Sequence, residues 1–112
     1  MRRSKARWRW REAIAVMVCA VLPEVAAAQA PADTAKLGNL VRQDCGSCHG
    51  LTLKGGLGKP LTADHLKQWD REQIIHIILD GVPGTPMPAW RPLLTEVEAG
   101  WIAEALQKGA LR

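Results

Sequence analysis

The spacing of apolar residues predicts a helix near the start of the folded region. Its apolar stripe consists of Leu37, Leu40 and Val41. Leu40 and Val41 are three and four positions from Leu37, which places all three residues on one face of a helix. We expect Asp33 or Thr34 to cap this helix, which then runs to about Asp44. Gly38 lies inside the stripe, where glycine lowers helix stability by up to about 1 kcal/mol. The pattern therefore indicates that another helix approaches closely there.

A second helix is predicted to begin at Asp70. Asp70 and Gln73 occupy the N-cap and N3 positions of a capping box, and Gly81 stands just past the expected end. The β-branched residues between them would also suit a strand, but the capping residues favour a helix. His76 falls on the polar side of this helix, which predicts a surface histidine.

The last helix is predicted to begin at Thr95, because Glu98 completes a second capping box, and Gly109 marks its end. Its apolar face consists of Val97, Trp101, Ile102, Ala105 and Leu106. A shorter helix that holds Leu66 and Trp69 is expected after a cap at Thr62. No segment requires a strand, so the sequence predicts an all-α domain of about three to four helices.

A different pattern precedes these helices. Six basic residues among the first 11 are followed by an apolar run over residues 13–22, by Pro23, and by the small residues 26–28. This order is typical of a secretory signal peptide, and the apolar run is too short to span a membrane. We predict a signal peptide over residues 1–28, a flexible leader over 29–32 and one domain over 33–112. Cleavage after Ala30 and an uncleaved anchor are the alternatives.

The charge of the chain belongs mainly to this first segment. The whole sequence has a formal net charge of +4, from 15 basic and 11 acidic residues. Residues 1–28 contain six of the basic and two of the acidic residues, which leaves nine of each and a net charge of zero. The remaining domain therefore gives no support to a nucleic-acid partner.

The chemistry-bearing motif is Cys45-Gly46-Ser47-Cys48-His49, the C-x-x-C-H attachment sequence for haem c. Cys45 and Cys48 would form thioethers with the haem vinyl groups, and His49 would be the proximal iron ligand. A thioredoxin-like dithiol would need a strand–helix–strand setting, and a zinc site would need further ligands. The motif occurs once, so the sequence predicts one covalently attached haem.

Met87 is the predicted distal iron ligand. It is the only methionine after the signal segment, and Pro86 and Pro88 restrict the backbone on both sides. A thioether sulfur favours reduced iron and raises the reduction potential. His65 and His76 are the competing ligands, and each lies among polar residues.

The proximal histidine also needs an acceptor for its second ring nitrogen. Pro60 follows the glycine-rich loop after the motif and has a carbonyl but no amide hydrogen. We predict that the Pro60 carbonyl accepts a hydrogen bond from His49.

Residues 45–49 together with Met87-Pro88 resemble the class I monohaem cytochromes c. The resemblance extends over nearly all of residues 33–109. It implies a small fold around one haem, in which the first and last helices cross at a small–aromatic contact that Gly38 and Trp101 would match. It also implies the proline-carbonyl contact, which Pro60 would match.

Residues 40–61 (LVRQDCGSCHGLTLKGGLGKPL) and 78–94 (ILDGVPGTPMPAWRPLL) are similar to the cytochrome c-55X, or NirC, type. That type is encoded beside cytochrome cd1 nitrite reductase in denitrifying bacteria. The resemblance implies a periplasmic one-electron carrier that donates to this reductase. The alternatives are a factor in haem d1 maturation and a general periplasmic carrier to other terminal reductases or oxidases. We expect a monomeric electron-transfer protein, not an enzyme, without nucleic-acid partner or membrane attachment once the signal is removed.

Overall fold

The computed structural model describes residues 30–111. The predicted signal peptide over residues 1–28 and Gln29 of the leader lie outside the described residues. The helices are α1 (Thr34–Leu40), α2 (Gly46–His49), α3 (Ala63–Leu66), α4 (Arg71–Asp80) and α5 (Glu96–Gln107), with a π-helical segment over Val41–Cys45. Across residues 30–111 there is no strand, which confirms the predicted all-α class. No helix in this range combines the length and the apolar character needed to cross a membrane.

The first helical segment is longer than the sequence predicted. The Asp33 carboxylate accepts a hydrogen bond of 2.8 Å from the Lys36 amide, which confirms the cap. Beyond α1 the backbone changes to π-helical bonding and then continues through α2 to His49. A π turn accommodates one extra residue and rotates the following turn relative to the preceding one. The cysteine motif therefore continues the first helix.

Both predicted capping boxes are present. The Asp70 carboxylate accepts from the Gln73 amide at 2.7 Å, and the Gln73 side chain accepts from the Asp70 amide at 3.0 Å. The Thr95 hydroxyl accepts from the Glu98 amide at 3.2 Å, and the Glu98 carboxylate accepts from the Thr95 amide at 2.8 Å. These bonds satisfy amide groups that the first turn of a helix leaves without partners.

The hydrophobic core forms where α5 packs against α4, α3 and the first helical segment. Its largest fully buried side chains are Val41, Leu79 and Ile102, one each from the π segment, α4 and α5. Gly100 lets the Arg71 guanidinium approach α5 closely. A Cβ added at Gly38 would lie closest to atoms of Arg42 and Leu111. Trp101, the predicted partner of Gly38, is not among these nearest neighbours.

The short helix α3 packs against α5, and a long-range hydrogen bond joins the turn after α3 to α5. The Thr62 hydroxyl accepts from the His65 amide at 3.4 Å, which confirms the predicted cap. Leu66 is buried, whereas Trp69 lies beyond the end of the helix. The Trp69 carbonyl accepts a hydrogen bond of 3.0 Å from the Gln107 side chain.

Candidate functional site

The two cysteines of the motif lie about one helical turn apart, at the junction of the π segment and α2. Cys45 is half-buried and packs against the core, Cys48 is exposed, and both are free thiols. Burial, with a smaller contribution from the nearby Asp44 carboxylate, raises the pKa of the Cys45 thiol to about 11. Because reactive dithiols depend on a lowered pKa, Cys45 does not resemble the nucleophile of a thioredoxin-like protein.

The glycine-rich loop folds back onto this turn. The Gly55 amide donates to the His49 carbonyl, and the Gly58 amide donates to the Cys48 carbonyl, both at 2.8 Å. Gly50 has a φ of 88°, and a Cβ there would lie 2.5 Å from the Gly55 carbonyl oxygen. Only glycine fits this combination of left-handed backbone and close approach. The loop is therefore held against the C-x-x-C-H turn by its own backbone.

The His49 ring is positioned by the far end of the same loop. Its Nδ1 lies 2.6 Å from the Lys59 carbonyl oxygen. A carbonyl can only accept, so Nδ1 carries a hydrogen, and in the neutral ring the lone pair is then on Nε2. A Cβ on Gly58 would lie 2.7 Å from two atoms of this ring, Nδ1 and Cε1. The imidazole thus packs directly against the Gly58 backbone.

This geometry replaces Pro60 with Lys59 as the acceptor for His49. The Leu61 amide donates to the Leu53 carbonyl at 2.9 Å. The Pro60 carbonyl belongs to the same planar trans peptide as the Leu61 amide, so it points in the opposite direction to that bond. The carbonyl one residue earlier, that of Lys59, faces the ring instead.

Met87 is presented by a separate loop between α4 and α5. Gly81 begins this loop with a φ of 70°, and a Cβ there would lie 2.7 Å from the Met87 carbonyl oxygen. The Val82 amide donates to that same oxygen at 3.2 Å, and the Met87 amide donates to the Thr85 hydroxyl at 3.3 Å. Hydrogen bonds as well as prolines therefore define the backbone around Met87.

The two ends of the Met87 loop are joined by backbone and side-chain hydrogen bonds. The Trp90 amide donates to the Ile78 carbonyl, and the Arg91 amide donates to the Leu79 carbonyl, each at 3.1 Å. The Arg91 guanidinium also donates to the Asp80 carboxylate. The hydrogen bonds from Arg91 lower the pKa of the Asp80 carboxyl group, and the contact with the His76 ring lowers this pKa further.

The competing histidines lie outside the cysteine motif. His76 is on α4 with a side chain that is 73% exposed, and its Nδ1 lies 3.3 Å from the Asp80 carboxylate. His65 is on α3 and partly buried. Among residues 30–111, no three His, Cys, Asp or Glu side chains converge as a metal site of such ligands would require.

These residues fit a covalently attached haem. Two free thiols lie in one turn beside an imidazole whose outer nitrogen is available to iron, and a loop with a thioether sulfur lies elsewhere in the same domain.

Sequence reasoning missed Gly58, the Lys59 carbonyl and the Asp80–Arg91 pair. The glycines of residues 50–58 were a usable signal for Gly58, because closely spaced glycines often mark a close backbone approach.

Comparison with known proteins identifies related sequences. Residues 32–104 match the family model described as "Cytochrome C oxidase, cbb3-type, subunit III". The protein called "Cytochrome c55X" from Paracoccus denitrificans (strain Pd 1222) is 59% identical over 81 residues, which cover 70% of this chain and 79% of that protein.

Solved structures show the same similarity. The structure titled "c-type cytochrome NirC" is 48% identical with a TM-score of 0.68, and the match covers 69% of this chain and 91% of that one. The structure titled "Dihydro-heme d1 dehydrogenase NirN in complex with DHE" is 31% identical with a TM-score of 0.61. That match covers 68% of this chain but 16% of the dehydrogenase, so the likeness is to one part of a much larger chain.

Proposed function

We propose that His49 and Met87 ligate the iron of a haem in this protein. The chain belongs to the cytochrome c55X family of c-type cytochromes, so it is an electron carrier with covalently bound haem c. When bound, the haem supplies reversible one-electron redox chemistry. Cys45 and Cys48 tether it through thioethers. The Lys59 carbonyl fixes the ring of the proximal histidine through Nδ1, which would leave Nε2 to ligate the iron.

The observation that carries this proposal is the 2.6 Å contact between His49 Nδ1 and the Lys59 carbonyl. It holds the imidazole in the tautomer that a proximal ligand requires. With His49 and Met87 both ligating the iron of an attached haem, no coordination site would be left for a substrate. The protein therefore acts by electron transfer and does not catalyse a reaction at its own iron.

Met87→Ala tests the distal ligand. We expect the reduction potential to fall and the charge-transfer absorption from methionine sulfur to ferric iron to disappear, because a soft thioether favours ferrous iron. His65→Ala and His76→Ala are the matched controls and should keep this absorption, and His65→Ala, which lies outside the Met87 loop, should also leave the potential unchanged. Loss of the native spectrum in either histidine variant, with Met87→Ala unaltered, would reject the assignment.

We place the working protein in the periplasm, after removal of residues 1–28. This location follows from the basic, apolar and small-residue order of the first segment. Mass spectrometry of the haem-bearing protein from a periplasmic extract should give a chain that begins at Gln29. A full-length chain in the membrane fraction would contradict both the location and the cleavage site.

Cytochrome cd1 nitrite reductase is the proposed electron acceptor, with the protein acting as a monomer in denitrification. The similarity to the structure titled NirC supports this pathway. Stopped-flow mixing of the reduced protein with the oxidised reductase should show electron transfer that keeps pace with nitrite turnover. Transfer much slower than turnover would remove the donor role and leave a general periplasmic carrier.

A role in haem d1 maturation is the second candidate. It is favoured by the similarity to one part of a dehydrogenase whose title names dihydro-haem d1. A deletion strain separates the two functions. Loss of haem d1 from the reductase supports maturation, whereas normal haem d1 content with slow nitrite reduction supports donation.

A further inference from the structure

The Met87 loop has few inward contacts of its own. Residues 82–86 are all exposed, as are Pro88 and Ala89, while Met87 and Trp90 are half-buried. A segment with so little buried surface opens readily unless its ends are held. The position of the Met87 sulfur therefore depends on the contacts that close the base of the loop.

A charged pair closes that base. Asp80 is the last residue of α4, and Arg91 stands where the chain returns from the loop. The Arg91 Nε and Nη2 atoms donate to Asp80 Oδ1 at 2.9 and 2.6 Å. The second carboxylate oxygen lies 3.3 Å from His76 Nδ1. Both oxygens of Asp80 are thus engaged, and its orientation is defined from two sides.

Arg91 also reaches the next helix. Its Nη1 lies 3.6 Å from the Glu96 carboxylate in the first turn of α5. The guanidinium therefore connects the end of α4 with the start of α5, across the two ends of the Met87 loop. A planar guanidinium has enough donors in fixed directions to make these contacts together, which a lysine ammonium cannot reproduce.

We propose that Asp80 and Arg91 are positioning residues that hold the Met87 sulfur in place at the iron. This proposal rests on Met87 being the distal ligand. The side chains of Arg91 and Asp80 are 50% and 49% exposed, and ion pairs at such sites contribute little to global stability. The effect of the pair should therefore appear at the iron, with little change in unfolding.

Arg91→Gln tests the proposal, and Lys67→Gln is its matched control. Lys67 forms a 2.6 Å ion pair with Asp64 on α3, which is also exposed and lies outside the Met87 loop. The readouts are the rate at which imidazole binds the ferric iron, the reduction potential and the methionine-to-iron absorption. Opening of the loop limits imidazole binding when methionine occupies the sixth position.

In Arg91→Gln we expect imidazole to bind about twofold to fivefold faster, which is the scale of losing one exposed ion pair. The potential should fall, while the midpoint of chemical denaturation shifts only slightly, because one exposed ion pair contributes little to global stability. Arg91→Lys should give intermediate rates, because it keeps the charge without the paired donors. Lys67→Gln should match the unaltered protein in every readout.

Unaltered binding rate and potential in Arg91→Gln would overturn the positioning role, as would an equal effect in Lys67→Gln. If Arg91→Gln fails to fold with haem, the same measurements on Asp80→Asn decide the question. Failure of the positioning role can be told apart from failure of the Met87 ligand assignment. In the second case, the methionine-to-iron absorption would be missing from the unaltered protein itself.

Discussion

Replacing Gly58 with alanine tests how the proximal histidine is positioned. The added Cβ would lie 2.7 Å from Nδ1 and Cε1 of the His49 ring. Comfortable contacts between such atoms lie at about 3.5 Å, so the overlap is about 0.8 Å. The φ of Gly58 lies outside the left-handed region, so backbone strain does not complicate the substitution.

The structure offers no inexpensive relief for this overlap. Rotation of the ring would break the 2.6 Å hydrogen bond to the Lys59 carbonyl. Movement of the loop would disturb the 2.8 Å bond from the Gly58 amide to the Cys48 carbonyl. Overpacking at a tightly packed position costs about 1 to 3 kcal/mol. We expect Gly58→Ala to lose that much free energy of unfolding and to incorporate less haem.

Gly38→Ala is the control, because it is the same substitution at a helical position with room for a Cβ. The nearest atoms, from Arg42 and Leu111, would lie 3.5 to 3.6 Å away. Alanine should stabilise this helix by about 0.4 to 1 kcal/mol. Guanidinium denaturation followed by circular dichroism measures both variants, and haem content per protein measures incorporation. A Gly58→Ala protein with normal stability and haem content would refute the packing argument.

Two further predictions concern α5. Ile102 is 1% exposed, so Ile102→Ala should cost about 2 to 5 kcal/mol of unfolding free energy in the same assay. Val97→Ala, on the same helix but 43% exposed, should stay within about 0.5 kcal/mol of the unaltered protein. Hydrogen bonds from the Thr95 amide and hydroxyl lower the pKa of Glu98, so its stabilising contribution is present above the unfolded pKa and lost as pH falls through the folded one. Glu98→Gln should therefore show a smaller loss of stability on acidification, and an identical pH profile would contradict the capping role of the charge.

Helix starts were predictable because their signals are local. Asp70 with Gln73 and Thr95 with Glu98 each satisfy amides within three residues, and the structure contains both capping boxes. The π segment over Val41–Cys45 was not predictable in the same way. Its apolar residues read equally well as an ordinary helix, and the extra residue has no marker of its own.

The site was predictable by residue type and less so by backbone direction. The cysteines and histidine of the motif were named correctly as neighbours, because their spacing alone brings them into one turn. The acceptor for His49 was placed one residue too far along, at Pro60. Its direction depends on the bond between Leu61 and Leu53, which pairs residues eight positions apart across a glycine-rich loop. Residue preferences carry no information about such a bond.

The two sides of the proposed iron site are held by different kinds of contact. On the proximal side, His49 is positioned by the Lys59 carbonyl and the Gly58 backbone. The Lys59 side chain is exposed and takes no part in this contact. On the distal side, the loop is closed partly by the side chains of Asp80 and Arg91. We therefore expect surface substitutions in the distal loop to alter the hold on the methionine while the histidine stays in place. On the proposed ligation, the distal loop is then the part of the fold where the reduction potential would be adjusted.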